Sequence, residues 1–265
     1  SVAKHSKRHG VRKVVGVMHN ANSHDGKAWE AKLTKRFFQA CDGVVTLSEA
    51  VSAKLQPWKP KTLFHPLNEH FPKGPSPAEA RRQLRLSDED VAHLFFGLIR
   101  PYKGLSVLLE ALVHLPSHHK ILIAGECYED WSAYQAQIDR HGLHKRVQLH
   151  LDFIPDNLVP VFMQACDDVV LPYLDASQSG VTALALHHEK RVVASDVGDL
   201  GTTIVPNLTG RLVPSGQPLA LAEALSTPWH VQPADQALAF RAVKEKFSWS
   251  AWASQLMQLA QSEEW

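Results

Sequence analysis

Short apolar runs alternate with stretches whose apolar residues recur at helical spacing, and this rhythm holds along nearly the whole chain. Val14-Val15-Gly16-Val17-Met18 has no polar face, as a parallel strand covered on both sides requires. It runs into His19-Asn20. Trp29, Leu33, Phe37 and Ala40 then fall on one face of a helix predicted over 28–40. Gly43–Leu47 reads as a second strand. Ser48 follows as an N-cap, its hydroxyl able to accept an orphan N–H, for a helix through Leu55. Thr62-Leu63-Phe64 reads as a third strand, closed by His65-Pro66.

Pro66, Pro72, Gly74, Pro75 and Pro77 then interrupt the pattern, which suits a linker, and a short basic helix is predicted over Arg81–Leu86. Beyond it the alternation becomes regular. Strands are predicted at Val91–Ile99, Lys120–Ala124, Arg146–Leu151, Asp168–Leu171, Arg191–Ala194 and Gly210–Val213. Helices are predicted near 104–115, 130–141, 157–165, 180–188, 201–206, 219–226, 235–246 and 249–262. Apolar strands separated by helices need a parallel sheet covered on both faces, a doubly wound, Rossmann-like α/β domain. Ligands of such sheets bind outside the carboxyl ends of the strands, so the loops there are the places to look for chemistry.

Composition narrows the classes. The chain has 265 residues, 45% hydrophobic and 21% charged, enough for a sizeable core and too apolar for a disordered segment. No apolar run approaches the roughly 18 residues of a membrane span. The chain starts at Ser1 with no apolar signal core, so it reads as a processed, internal or trimmed piece of a longer product. Three scattered Cys and no CxxC pair argue against a disulfide framework and for a reducing, cytoplasmic setting. Residues 1–80 carry 13 Lys/Arg against 6 Asp/Glu, whereas the whole chain nets only +1. That basic part, with its tail Lys4–Lys13, suits an anionic lipid surface or a phosphorylated acceptor as readily as a solvated face.

Three loops carry candidate chemistry. In Gly97–Gly104, Arg100 and Lys103 sit at a strand end beside a helix start, where fixed cations and the helix dipole both favour a diphosphate. In Asp175–Thr182, small residues allow close backbone approach and successive N–H groups can form an anion nest. Ala194–Gly201 is a third glycine-containing turn, too irregular for a dinucleotide fingerprint. No P-loop or G-x-S-x-G element is present, and no nucleic-acid motif accompanies the basic part.

Taken in order, "FFGLIRPYKGLSVLLEAL", "LPYLDASQSGVTALAL" and "RVVASDVGDLGTTIVPNLTGRLVPSGQPLALAEAL" resemble the nucleotide-binding half of GT-B-fold glycosyltransferases of the retaining group 1, or family 4, type. The resemblance covers residues 89–226. "VVGVMHN" and "ACDGVVTLSEAVSAKL" resemble the end of that family's N-terminal domain. It implies Arg100 and Lys103 as diphosphate ligands, and the amides of Ser179, Gly180 and Val181 as ligands of the distal phosphate. It implies Gly125-Glu126 and Phe153-Ile154 where base and ribose pack, and His19 near the donor sugar. Gly97, Ser177, Gln178 and Thr182 complete the expected donor site. The family uses no obligatory metal, so no cofactor beyond the nucleotide-sugar substrate is expected.

The family pattern also carries two Glu seven residues apart, and their places here hold Ala176 and Leu184. The expected organisation is a shortened, acceptor-side N-terminal domain with linker over 1–85, a donor domain over 86–246, and a helix over 247–265 crossing back to the first domain. The implied function is transfer of a hexosyl unit from a UDP- or GDP-sugar to a cell-envelope glycan or lipid-linked acceptor, in the cytoplasm or at the inner face of the membrane. A non-catalytic nucleotide-sugar-binding subunit, or a fragment of a larger transferase, is the alternative. An unpaired edge of the first sheet leaves room for a homodimer or a partner.

Overall fold

A computed structural model describes residues 10–19, 30–68 and 71–262, so the tail Lys4–His9 and Trp29 lie outside the described residues. The chain forms two compact units, Ser1–Pro66 with Glu245–Trp265, and Leu67–Lys244.

The first unit holds three parallel strands in the order β1 (Val15–Met18), β2 (Gly43–Thr46) and β3 (Lys61–Thr62), with Val15 opposite Gly43 and Val45 opposite Lys61. Helix α1 (Glu30–Phe38) joins the first two. Helix α2 (Glu49–Lys54) starts where predicted, its cap Ser48 accepting the Val51 N–H at 3.1 Å. Phe38, Val44, Val51 and Leu55 make a small core, with Met18 packed against it. The third strand is shorter and earlier than predicted. Leu63 N still donates to Thr46 O, but Phe64 turns away to meet Phe247 edge-on at 5.2 Å.

The second unit carries six parallel strands: β4 (Val91–Phe96), β5 (His119–Ala124), β6 (Val147–His150), β7 (Asp168–Leu171), β8 (Arg191–Ser195) and β9 (Gly210–Val213). Their order is β6-β5-β4-β7-β8-β9. The chain therefore winds one way from β4 to β6 and the other way from β7 to β9, and its switch point lies between β4 and β7. This is the doubly wound α/β sheet that the alternation predicted. Helices α3 (Pro77–Gln83), α4 (Leu105–Val113), α5 (Ser132–Arg140), α6 (Val159–Ala165), α7 (Gly180–His187), α8 (Pro218–Ser226) and α9 (Pro233–Lys246) connect and follow the strands. One core runs through Phe95, Ile121, Ile123, Val170 and Val193 of the sheet to Leu108, Leu112 and Leu221 of the helices.

Three local differences have plain causes. The helix predicted over Arg81–Leu86 begins at Pro77, because Ser76 and Glu79 form a reciprocal capping box and Pro77 fits the first turn. Arg81 then donates to Ala165 O and Asp167, which ties the linker helix to the second unit. The unit boundary accordingly falls after Pro66, not at 85. Strand β4 stops at Phe96 because Gly97 takes φ +90°. The helix predicted over 201–206 is a single 3₁₀ turn, Leu200–Thr203.

Helix α10 (Trp249–Gln261) groups with the first unit, where Lys13 Nζ donates to Ser262 O at 2.8 Å. None of its residues is fully buried; Trp249, half exposed, meets Trp252 edge-on at 5.7 Å. Among the described residues no helix is long and apolar enough to cross a membrane.

The amino-terminal end of the large sheet hides a polar chain that the sequence pattern did not reveal. His93 Nδ1 donates to Asp168 Oδ1 at 2.7 Å, and His93 Nε2 lies 2.8 Å from His119 Nδ1. His93, Asp168 and His119 are all buried. Burial first, then the neighbouring His93, lowers His119 to about 4, so it is neutral at pH 7.

Candidate functional site

The carboxyl edge of the sheet at the switch point brings four loops together. After β4 the chain turns at Gly97, whose φ of +90° a side chain rarely adopts. A Cβ there would lie 3.3 Å from Lys103 Nζ and 3.5 Å from Val181 Cγ2, so the loop after β4 and the start of α7 converge on this residue. Ile99 N donates to Glu126 O and Gly97 N to Ala124 O, which fastens the loop to the end of β5. The 3₁₀ turn Pro101–Lys103 follows and ends at Gly104, φ +68°. A Cβ at Gly104 would fall 2.0 Å from Pro172 O, so only glycine lets the turn rest against the end of β7.

That packing buries Lys103. The residue is 8% exposed, and its Nζ lies 5.7 Å from the centre of the Tyr173 ring. Among the described residues no carboxylate pairs with it. Burial, and after it the charge of Arg100, lowers the ammonium to about 8. A buried cation without a counter-charge is costly unless an anion completes it. Arg100 stands with its guanidinium 4.9 Å over the Tyr128 ring and makes no ion pair among the described residues.

The loop after β7 is held from two sides. Leu174 N donates to Tyr102 O, and Asp199 N, from the turn after β8, donates to Ser177 O. Ser179 caps α7, its Oγ accepting the Val181 N–H at 3.2 Å. The Thr182 and Ala183 N–H groups bond to Ser179 O. The Val181 amide, expected to face phosphate, is therefore engaged, and among the described residues no hydrogen bond engages the Gly180 amide. A Cβ at Gly180 would meet no atom within 4 Å. Tyr173 OH lies 3.4 Å from Ser179 Oγ, so one buried tyrosine touches both the Lys103 side and the α7 side.

Gln178 Oε1 and Thr182 Oγ1 are buried without hydrogen-bond partners among the described residues. Leu184, at one place where the family pattern has Glu, is 4% exposed in the core. Gly125, after β5, donates its N–H to His150 O, and Glu126 beside it is half-buried. Phe153, after β6, is 66% exposed, and Ile154 is half-buried. Gly97, Lys103, Ser179, Gly180 and Val181 thus meet at the switch point, with Gly125-Glu126 and Phe153-Ile154 on loops further along the β5–β6 side. Sequence reading missed Tyr128 and Tyr173. Their signal was an aromatic residue in the loop that follows a strand, which spacing alone does not separate from core.

His19 lies in the first unit, exposed on the bend after β1. Its ring centre is 5.6 Å from that of His65, edge to face. His65 Nδ1 donates to Pro66 O at 2.8 Å, and burial lowers its pKa.

Two Rossmann-like parallel sheets, one with an anion-ready edge at its switch point, define a GT-B-type α/β protein. The family described as "Glycosyl transferases group 1" matches residues 91–229, more than half of the chain, and the chain belongs to that family. Among curated relatives, a D-inositol 3-phosphate glycosyltransferase of Xylanimonas cellulosilytica is 30% identical over 200 residues, 72% of this chain and 48% of the relative. The D-rhamnosyltransferase WbpZ of Pseudomonas aeruginosa is 27% identical over 216 residues, 77% of this chain and 54% of the relative. The chain spans about half the length of the curated relatives it matches. Among solved structures, Anabaena Alr3699/HepE in complex with UDP and glucose superposes with a TM-score of 0.78 at 20% identity, covering 95% of this chain and 72% of that one.

Proposed function

We propose that this chain moves a hexosyl unit from a UDP- or GDP-sugar to a cell-envelope glycan or lipid-linked acceptor. The observation that carries the reading is the Lys103 ammonium, buried beside Gly97 and Val181 at the switch point and without a carboxylate partner among the described residues. A diphosphate there completes the ammonium, and the Gly180 amide and Arg100 share its charge. These groups stabilise the leaving diphosphate as the glycosidic bond breaks, which is electrostatic catalysis by preorganised donors. The leaving phosphate then takes the acceptor proton on the same face, giving retention without a carboxylate base. His19 is the residue of the first unit proposed to act in transfer. The sugar-transfer names of the relatives and the UDP and glucose of the HepE structure support this reading.

The site is proposed to work without a cofactor, in the cytoplasm, with the basic N-terminal part resting on an anionic membrane face. A homodimer through the edge of the first sheet belongs to the same proposal. One observation favours a second reading, a non-catalytic nucleotide-sugar-binding subunit: Ala176 and Leu184 stand where the family pattern carries acids. The deciding experiment is a thermal-shift screen of UDP, GDP, ADP and their sugars, followed by hydrolysis and transfer assays on each hit. Stabilisation with turnover supports the enzyme, and stabilisation without turnover supports the subunit. No response to any diphosphate contradicts both.

A further inference from the structure

A cavity of about 390 Å³ opens on the second unit, at the end of α7 opposite Gly180. Small-molecule sites occupy roughly 300–1,000 Å³, so it is large enough for more than a bare ion. Its walls are Phe71–Gly74 of the linker, Gln164 of α6, the end of α7, and Lys244 of α9. The linker wall is fitted closely. A Cβ at Gly74 would lie 2.9 Å from Pro160 Cβ and 3.0 Å from Gln164 Cγ, so glycine lets the linker rest against α6. On the α7 side His188 Nε2 is buried with no hydrogen-bond partner among the described residues. Buried polar atoms in native proteins are nearly always paired, so this one marks a place where a further molecule supplies the bond.

Charge decides the kind of molecule. Lys73 is exposed and makes no ion pair among the described residues. Lys190 Nζ donates to the carbonyls of Gln164 and Cys166, which leave its charge uncancelled. Lys244 pairs with Glu189 at 2.7 Å. Three ammonium groups thus stand against one carboxylate around His188. The carbonyl end of α7 asks for no cation, since the N–H groups of His188, Glu189 and Lys190 already bond to Leu184 O, Leu186 O and Ala185 O. Burial first, then His187, Lys244 and Lys190, lowers His188 to about 4, so it is neutral at pH 7. A neutral imidazole carries its proton on one nitrogen or the other, and an oxyanion at Nε2 holds it there whichever form the free ring takes. A phosphate monoester brings roughly two negative charges at pH 7 and three acceptor oxygens, which match the charge excess and the donors on separate elements. We infer that this cavity is a second binding site, taking a phosphate monoester on a small polar body, with Lys73 and His188 Nε2 holding the phosphate. It stands independently of the sugar-nucleotide reading.

The test is calorimetric titration of the full chain with ribose 5-phosphate, inorganic phosphate and ribose, in wild type, Lys73→Glu, His188→Phe and Lys103→Met. Lys73 is exposed, so its replacement disturbs no packing, and phenylalanine keeps a ring at 188 while removing Nε2. Lys73→Glu decides alone if the buried substitution lowers Tm. Ribose 5-phosphate is expected to bind, inorganic phosphate more weakly, and ribose not at all. Lys73→Glu and His188→Phe are each expected to weaken ribose 5-phosphate about tenfold or more, the worth of a charged hydrogen bond. Lys103→Met is expected to leave that affinity unchanged. A loss in Lys103→Met with none in Lys73→Glu would put the phosphate at the switch point, overturning this inference while supporting the donor-site reading. Ribose 5-phosphate that fails to bind, or binds no tighter than ribose or inorganic phosphate, overturns the inference and leaves the donor-site reading standing.

Discussion

Replacing Lys103 with methionine should make the protein more stable and a poorer ligand for diphosphates. The side chain keeps its length and apolar stem, but loses the ammonium. That ammonium is 8% exposed and lowered from 10.5 to about 8. At 1.36 kcal/mol per pKa unit, keeping it charged costs the folded protein about 3 kcal/mol at neutral pH. The sign follows from proton binding. Between pH 8 and 10.5 the unfolded chain holds this proton and the folded one has lost it, so stability rises with pH across that window and the full penalty stands below it. The contact with the Tyr173 ring, 5.7 Å away, returns about 1 kcal/mol. Lys103→Met should therefore gain roughly 1–2 kcal/mol, read as a rise in Tm of a few degrees. Losing a charged hydrogen bond should weaken UDP or GDP by roughly 10- to 150-fold in calorimetric titration. Wild-type affinity should also fall above pH 8 as Lys103 sheds its proton, and the variant should show no such fall. A variant less stable than wild type, or one that binds diphosphate as tightly, would refute the reasoning.

Gly180→Val should remove diphosphate binding with little change in Tm, since a Cβ there points into open space at the start of α7, where the proposed phosphate would lie; a matching loss of stability would show that the glycine serves packing. Asp168→Ala leaves His93 buried beside His119 without its acceptor and should cost roughly 1–3 kcal/mol in denaturant unfolding, as leaving a buried donor unsatisfied does. His119 is lowered to about 4, so its contribution is whole above 6.5 and is lost as pH falls from 6.5 to 4. Tm should drop across that window by the equivalent of roughly 2 kcal/mol, discounted for water at the strand end, and less in His119→Gln.

The large sheet was legible because its strands are apolar on both faces and its helices keep their periodicity. Asp168–Leu171 and Gly210–Val213 fall within the very bounds that the pattern gives. Ends set by individual atoms were less legible. Gly97 halts β4 by its backbone angle, and the Ser76–Glu79 box moves a helix start by four residues. The cations of the site could be named from their place after a strand, but not the absence of a partner for Lys103, which depends on residues far apart in sequence. The same holds for the polar chain of His93, Asp168 and His119, which three separate strands bring together. Nor could spacing show that Ser179 Oγ already occupies the Val181 amide.

The central claim is that the switch point between β4 and β7 holds a nucleoside diphosphate. A crystal structure of the protein grown with UDP or GDP, whichever raises Tm more, tests it most directly. The account predicts phosphate oxygens within hydrogen-bond distance of Lys103 Nζ and the Gly180 N–H, with Arg100 turned toward them. A nucleotide bound elsewhere, with Lys103 still buried and unpaired, would contradict it.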